Sequence, residues 1–269
     1  MGRRGPVRVV RWKVRPDGWP SGLGLRIVMV ADVHAVWPWM TAKRLGAIVD
    51  QANGLDADLI CLMGDYPGHL MLTRPVPVEA VTAELARLSA PLGVWAIFGN
   101  HDWRDDAEAT LARRGPTLWH RAFDEAGLNW LENASVQIEA PGGTIALAGL
   151  GSQQAFKPPG QAIGDGVDDM ETTLVGIADG VPVILLAHEP DVFPDVPEQV
   201  GLTLSGHTHG GQIAPFGKAL FVPSRFGTRY AYGHHRLDGR DLVVSGGLGC
   251  SGVPFRVGRP PELTVVDVG

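Results

Sequence analysis

The chain has few cysteines, and that narrows its class first. Cys61 and Cys250 are the two in 269 residues, too few for a disulfide framework. Cys61 lies inside an apolar run and reads as core. No apolar stretch reaches the roughly 18 residues that span a bilayer. Arg3 and Arg4 are not followed by a continuous apolar segment, so the start of the chain does not read as a signal peptide. Internal repeats and low-complexity segments are missing as well. Charged residues make up 19% and the net charge is −6, which leaves nucleic acid unexpected as an obligate partner. These absences leave a protein with 45% hydrophobic residues, enough for a full core. No linker divides it, so one domain over residues 1–269 is expected, with a cytoplasmic location as the default.

The apolar runs predict strands. Leu25 to Val30, Asp58 to Met63 and Val94 to Phe98 alternate with two helical patterns. In the first, Thr41 is the N-cap and Leu45, Ile48, Val49 and Ala52 share a face before Asn53-Gly54. In the second, Val78, Val81, Leu85 and Leu88 share a face. This β-α-β-α-β order argues for α/β layering. Residues 104–130 read as partly helical, with Trp119, Ala122, Phe123 and Ala126 together. Further strands are expected at Ser135 to Glu139, Thr144 to Ala148, Val183 to Ala187 and Leu202 to Leu204. The last are expected around Leu220, Val243 and Thr264, within 219–267. Arg11 to Arg15 alternates charge with Trp12 and Val14, which suits a charged edge strand or a patch for anionic lipid or a phosphorylated substrate. The loop Trp37-Pro38-Trp39-Met40 is expected to be buried as a lid over the core; exposed, it would contact lipid or a hydrophobic substrate. The glycine-rich loop 151–168, around Lys157-Pro158-Pro159, is expected to be mobile and near the substrate.

Chemistry gathers where strands end. Leu25 to Val30 runs into Asp32 and His34, and the next strand ends in Gly64-Asp65. Gly99-Asn100-His101-Asp102 follows Phe98, His188 follows Ala187, and His207 and His209 follow Leu204. Residues i and i+2 on extended backbone point the same way, so Asp32 with His34, and His207 with His209, can each face one site. Carboxylate, imidazole and amide oxygen suit Mn, Fe or Zn, and the lack of thiolate argues against a structural zinc knot. The set is too large for one ion and fits two that share a carboxylate. His69 and His120 have no matching partners and read as structural or exposed. Asp102 has two readings, orienting His101 or capping the following helix.

Asp-x-His, Gly-Asp, Gly-Asn-His-Asp, a later His and Gly-His-Thr-His, in that order over residues 32–209, resemble the calcineurin-like metallophosphoesterases. The resemblance implies two facing mixed β-sheets flanked by helices, an α/β sandwich of four layers. It implies two divalent metal ions, one held by Asp32, His34 and His209 and the other by Asn100, His188 and His207, with Asp65 bridging. It implies a phosphohydrolase in which a metal-bridging hydroxide attacks phosphorus and His101 stabilises the transition state or protonates the leaving oxygen. Gly68 stands where purple acid phosphatases have tyrosine. Tyr66-Pro67-Gly68-His69 after Asp65 departs from the Asp-x-x-Asp-Arg-Gly of protein phosphatases, which disfavours a protein substrate. A non-catalytic scaffold would be expected to lose ligands or the His after Asn, and this chain keeps them all.

Gly206 to Gln212 and Gly246-Gly247-Leu248-Gly249 with Pro254-Phe255-Arg256 resemble the bacterial YkuE and YaeI branch of that family. That branch implies a phosphodiester or pyrophosphate substrate, including nucleotide-linked lipids such as UDP-2,3-diacylglucosamine, and work at membranes. General phosphomonoesterase or nucleotide phosphodiesterase activity is the alternative. Arg225, Arg229 and Arg256 are candidates for gripping substrate phosphate. The basic N-terminus and the Trp37–Trp39 loop suit a lipid-linked substrate and peripheral membrane contact. Oligomeric state is not legible.

Overall fold

In the computed structural model, which describes residues 6–156 and 165–269, the apolar runs become the central strands of two six-stranded sheets. The first sheet runs in the order β1 (Arg8–Val14), β14 (Glu262–Val268), β2 (Leu25–Val30), β4 (Leu59–Leu62), β6 (Val94–Ala96) and β7 (Asn129–Trp130). Every neighbouring pair is parallel except β14 with β2. The second runs β12 (Gly233–Leu237), β13 (Arg240–Val244), β11 (Val200–Ser205), β10 (Val183–Leu186), β9 (Gly143–Gly149) and β8 (Ala134–Ala140). Its outermost pairs are antiparallel and its inner ones parallel. A short ribbon pairs β3 (Val36–Trp37) with β5 (Arg74–Pro75).

β2 and β4 are apolar on both faces because both faces are covered. Ile27, Met29 and Cys61 point inward against Ile184, Leu186, Leu202 and Leu204 of the second sheet. Val28, Val30, Ile60 and Leu62 point outward. They meet α1 (Ala42–Asn53) and α2 (Val78–Leu85), and the stretch after β6 adds α3 (Asn100–Arg104), α4 (Ala107–Ala112) and α5 (Leu118–Glu125). Leu45, Val49, Val81, Leu85, Trp119 and Phe123 supply the helical side of that core. Outside the second sheet, α6 (Met170–Leu174) and the turn of helix at Pro190–Asp195 cover Ala146, Ala148 and Leu185. The layers are therefore helix, sheet, sheet, helix. α1 starts at Thr41, whose hydroxyl accepts from Arg44 N at 3.3 Å, and ends at Gly54.

β1 is the edge strand that the charge alternation describes, with Arg8, Arg11 and Lys13 exposed and Val10 and Val14 buried. Arg3, Arg4 and Lys157-Pro158-Pro159 fall outside the described residues. Two expectations are corrected. No strand forms around Leu220, where Pro215, Gly217, Pro223 and Gly227 punctuate an irregular loop and Leu220 is exposed. The C-terminal strands begin only at Gly233. The Trp37-Pro38-Trp39-Met40 loop is not a buried lid either. Only Met40 turns into the core, while Trp37 and Trp39 are 57% and 39% exposed. No helix among the described residues is long and apolar enough to cross a membrane.

Candidate metal centre

The carboxyl ends of β2, β4 and β6 in one sheet and of β10 and β11 in the other converge, which is where open α/β sheets place their sites. Asp32, His34, Asp65, Asn100, His188, His207 and His209 all lie there, and all are buried. Five of them leave their strands with left-handed backbone: Asp32 (φ 51°), His34 (44°), Asp65 (58°), His207 (68°) and His209 (54°). Non-glycine residues seldom adopt this conformation, and it clusters where a fold aims side chains at one point.

The ligand atoms form three overlapping groups, each within 4.8 Å: Asp32, His34 and His209; His34, Asp65 and His101; Asp65, His188 and His207. Asp65 Oδ2 lies 3.2 Å from His188 Nε2 and 3.6 Å from His34 Nε2, so one carboxylate stands between two clusters. Gly99 makes room for this. A Cβ there would sit 2.4 Å from Asp65 Oδ1 and 2.6 Å from the His188 ring.

Backbone carbonyls fix three of the imidazoles. His34 Nδ1 donates to Pro67 O at 2.9 Å, His188 Nδ1 to Met63 O at 2.6 Å, and His207 Nε2 to Pro223 O at 3.1 Å. Each ring then turns its other nitrogen, a lone pair when neutral, toward the cluster, the arrangement that supports metal ligation. His209 differs. Its Nδ1 is 2.9 Å from a guanidinium nitrogen of Arg256, which can only donate. The neutral ring therefore carries its proton on Nε2, 3.0 Å from His34 Nε2. A cation held by Nε2 would need that proton moved to Nδ1, at the expense of the Arg256 contact.

The donor set fits divalent cations. Asp32 Oδ2 is buried without a hydrogen-bond partner, a costly state that an ion relieves. Asn100 sets its amide end 2.8 Å from His207 Nδ1; nitrogen turned there donates to the ring, and oxygen turned there joins it in facing a cation. Electrostatics mark the same spot. Burial pushes the Asp32 carboxyl up to about 7 and pulls His34 down to about 4 and His101 down to about 3. Burial would raise Asp65, but His188 and His101 outweigh it and hold it well below the usual carboxylate range. His188 is raised well above its ordinary value, because Asp65 overcomes the burial that opposes its charge.

His101 heads α3 beside the cluster, and its backbone N–H donates to Asp65 Oδ1 at 2.8 Å. Asp102 caps this helix and does not orient His101. Its carboxylate accepts from the backbone N–H of Gly99 (2.6 Å), Asp65 (2.8 Å) and Tyr66 (2.8 Å), tying two ligand loops together. The arginines are already engaged. Arg225 bonds Asp195 at 2.7 Å and the Asp191 carbonyl, and Arg229 lies over the Tyr230 ring. Arg256 reaches the centre but bonds the carbonyls of Gly246 and Gly249 along with His209.

Two neighbours, Arg104 and Glu189, escaped the sequence reading, and His69 is exposed as expected yet touches the site. His69, read there as structural or exposed, stacks on the His101 ring with centroids 6.0 Å apart and pairs with Asp105 at 3.1 Å. Arg104 is one helical turn beyond Asn100, a spacing that could have found it. Glu189 holds Ser152 and the Gln153 backbone, at 2.6 and 3.0 Å, beside His188. His120 is structural, buried against Phe98 and bonded to Thr117.

The calcineurin-like phosphoesterase family model matches residues 25–211. The chain is similar to the uncharacterized metallophosphoesterase YkuE of Bacillus subtilis, 31% identical over 91% of this chain and 80% of that one. It is similar to an uncharacterized metallophosphoesterase of Aquifex aeolicus, 26% identical over 97% of this chain and 92% of that one. It also resembles a transmembrane protein with metallophosphoesterase domain of Danio rerio, 29% identical over 96% of this chain, which spans only 56% of that relative's length. The family match runs through the strand ends where the buried Asp and His residues meet, and the chain belongs to the calcineurin-like phosphoesterases, hydrolases of phosphoric esters that use divalent metal ions.

Proposed function

We propose that the chain is a dinuclear phosphohydrolase for phosphodiester or pyrophosphate bonds, with nucleotide-linked lipids such as UDP-2,3-diacylglucosamine as the substrate type. Asp32, His34 and His209 hold one cation, Asn100, His188 and His207 hold the other, and Asp65 serves both. The observation that carries this is the single Asp65 oxygen within 3.2 and 3.6 Å of imidazoles from the two clusters. Two divalent ions, whether Mn, Fe or Zn, supply Lewis acidity toward the phosphoryl oxygens and an activated water.

The chain's own residues do the rest. Met63, Pro67 and Pro223 carbonyls hold three rings in the ligating tautomer. Asp102 locks the Asp65 loop against the start of α3, so Asp65 and His101 keep a fixed spacing. His101, neutral at pH 7, offers a ring N–H to the charge that develops on phosphorus oxygens, and His69 with Asp105 backs it from the open side.

The test is to strip the protein, reload it with Mn²⁺, and compare bis(p-nitrophenyl) phosphate with p-nitrophenyl phosphate. The diester is expected to turn over faster. His101→Ala is expected to keep its metal and lose roughly 10²–10⁴-fold in kcat. Faster monoester hydrolysis refutes the substrate assignment, and failure to take up metal refutes the centre itself.

A further inference from the structure

Arg104 is a cation of the metal centre without a settled partner. It stands one helical turn beyond Asn100 on α3, so its side chain rises from the same face as that residue. The guanidinium is half-buried, and its Nε is buried with no hydrogen-bond partner among the described residues. Asp65 and Glu189 act on it through charge, without bonding it. Both carboxylates are committed elsewhere, Asp65 to His101 N at 2.8 Å and Glu189 to Ser152 Oγ and Gln153 N at 2.6 and 3.0 Å. Arg256 shows how a bracing arginine is built here, with its fork spent on the carbonyls of Gly246 and Gly249.

What Arg104 can bond depends on Asn100. With the Asn100 nitrogen turned to His207 Nδ1, the amide oxygen accepts from Arg104 Nη2 and lies 3.2 Å from His101 N. Asn100 can serve a cation only through that same oxygen. Turned to the cluster, it leaves its amide nitrogen facing Arg104 Nη2, and two donors repel where a donor and an acceptor attracted. The ligating orientation of Asn100 therefore deprives Arg104 of its side-chain acceptor. A half-buried guanidinium without an acceptor is costly. Its planar fork matches two oxygens of a phosphoryl group, and it cannot shed its charge.

We propose that Arg104 grips a phosphoryl group brought to the metal centre, and that ligation through the Asn100 oxygen releases it for that task. The inference deepens the phosphohydrolase reading and rests on its two-ion centre, but not on turnover. Metal binding and anion binding are then linked through one amide, so that the fork is free only when the centre is loaded.

The test uses the full chain loaded with Mn²⁺ and titrates inorganic phosphate by calorimetry. Arg104→Met keeps the aliphatic stem and removes the fork. It is expected to retain the metal content of wild type and to bind phosphate about tenfold to a hundredfold more weakly. Arg104→Lys is expected to recover part of that loss, because a point charge replaces a fork. In chelator, wild type and Arg104→Met are expected to bind phosphate alike, since Asn100 then occupies the fork. Phosphate binding by loaded Arg104→Met as tight as that of wild type overturns the inference. Loss of a metal ion in both variants also overturns it, because Arg104 is then a brace for Asn100. An Arg104 effect of equal size in chelator overturns the release. Phosphate binding that depends on Arg104 in a protein inert toward diesters and monoesters upholds the inference and refutes the hydrolase.

Discussion

Replacing Asp32 by Asn should stabilise the metal-free protein while removing half of its metal centre. Asp32 is fully buried, its Oδ2 has no hydrogen-bond partner, and its Oδ1 accepts from His207 N at 2.8 Å. Burial raises its carboxyl from 3.8 to about 7. Between those values the folded chain holds a proton that the unfolded chain has released. Stability from this group therefore falls as pH rises through that window and stays low above it. The gap corresponds to about 4 kcal/mol, at roughly 1.36 kcal/mol per pH unit. Asn keeps the acceptor for His207 N without the buried charge. In urea titrations with chelator present, Asp32→Asn should match wild type near pH 4 and exceed it by up to about 4 kcal/mol at pH 8. His34, held down to about 4, adds stability as pH rises over much of the same range. It does so in both proteins and so cancels from the difference between them. Adding Mn²⁺ should reverse the ranking. Wild type should gain about 2.7 kcal/mol for each site at a hundredfold excess over Kd, and the variant should bind one ion where wild type binds two. A variant no more stable than wild type at pH 8 in chelator, or a difference that ignores pH, refutes the reasoning.

Two further outcomes follow from the supporting bonds. Arg256→Leu should tighten ion binding at the Asp32, His34 and His209 cluster by roughly 10–100-fold in calorimetry, leaving the other cluster unchanged, because it frees His209 Nδ1 to carry the ring proton and removes a buried cation from the site. Asp102→Ala should cost about 3 kcal/mol in urea unfolding, since it strands three buried backbone N–H groups, and metal content should fall with it as the Asp65 loop loosens.

The layers were legible because β2, β4, β10 and β11 are apolar without alternation, which marks strands covered on both faces. The ligands were legible for a different reason: titratable residues recur at the ends of those same strands. What escaped was whatever depends on how loops leave the strands. Spacing on extended backbone suggested that Asp32 and His34 share a direction. Both in fact sit at positive φ, so they meet through loop geometry that no periodicity encodes. The same limit explains Asp102, whose two readings differ only in whether its carboxylate turns to the His101 ring or to the backbone of Gly99, Asp65 and Tyr66.

The Trp37–Met40 loop and the stretch around Leu220 show where hydrophobicity misleads. Apolar residues in a soluble chain are expected to lie inside, and both segments were assigned to the interior or to a strand on that basis.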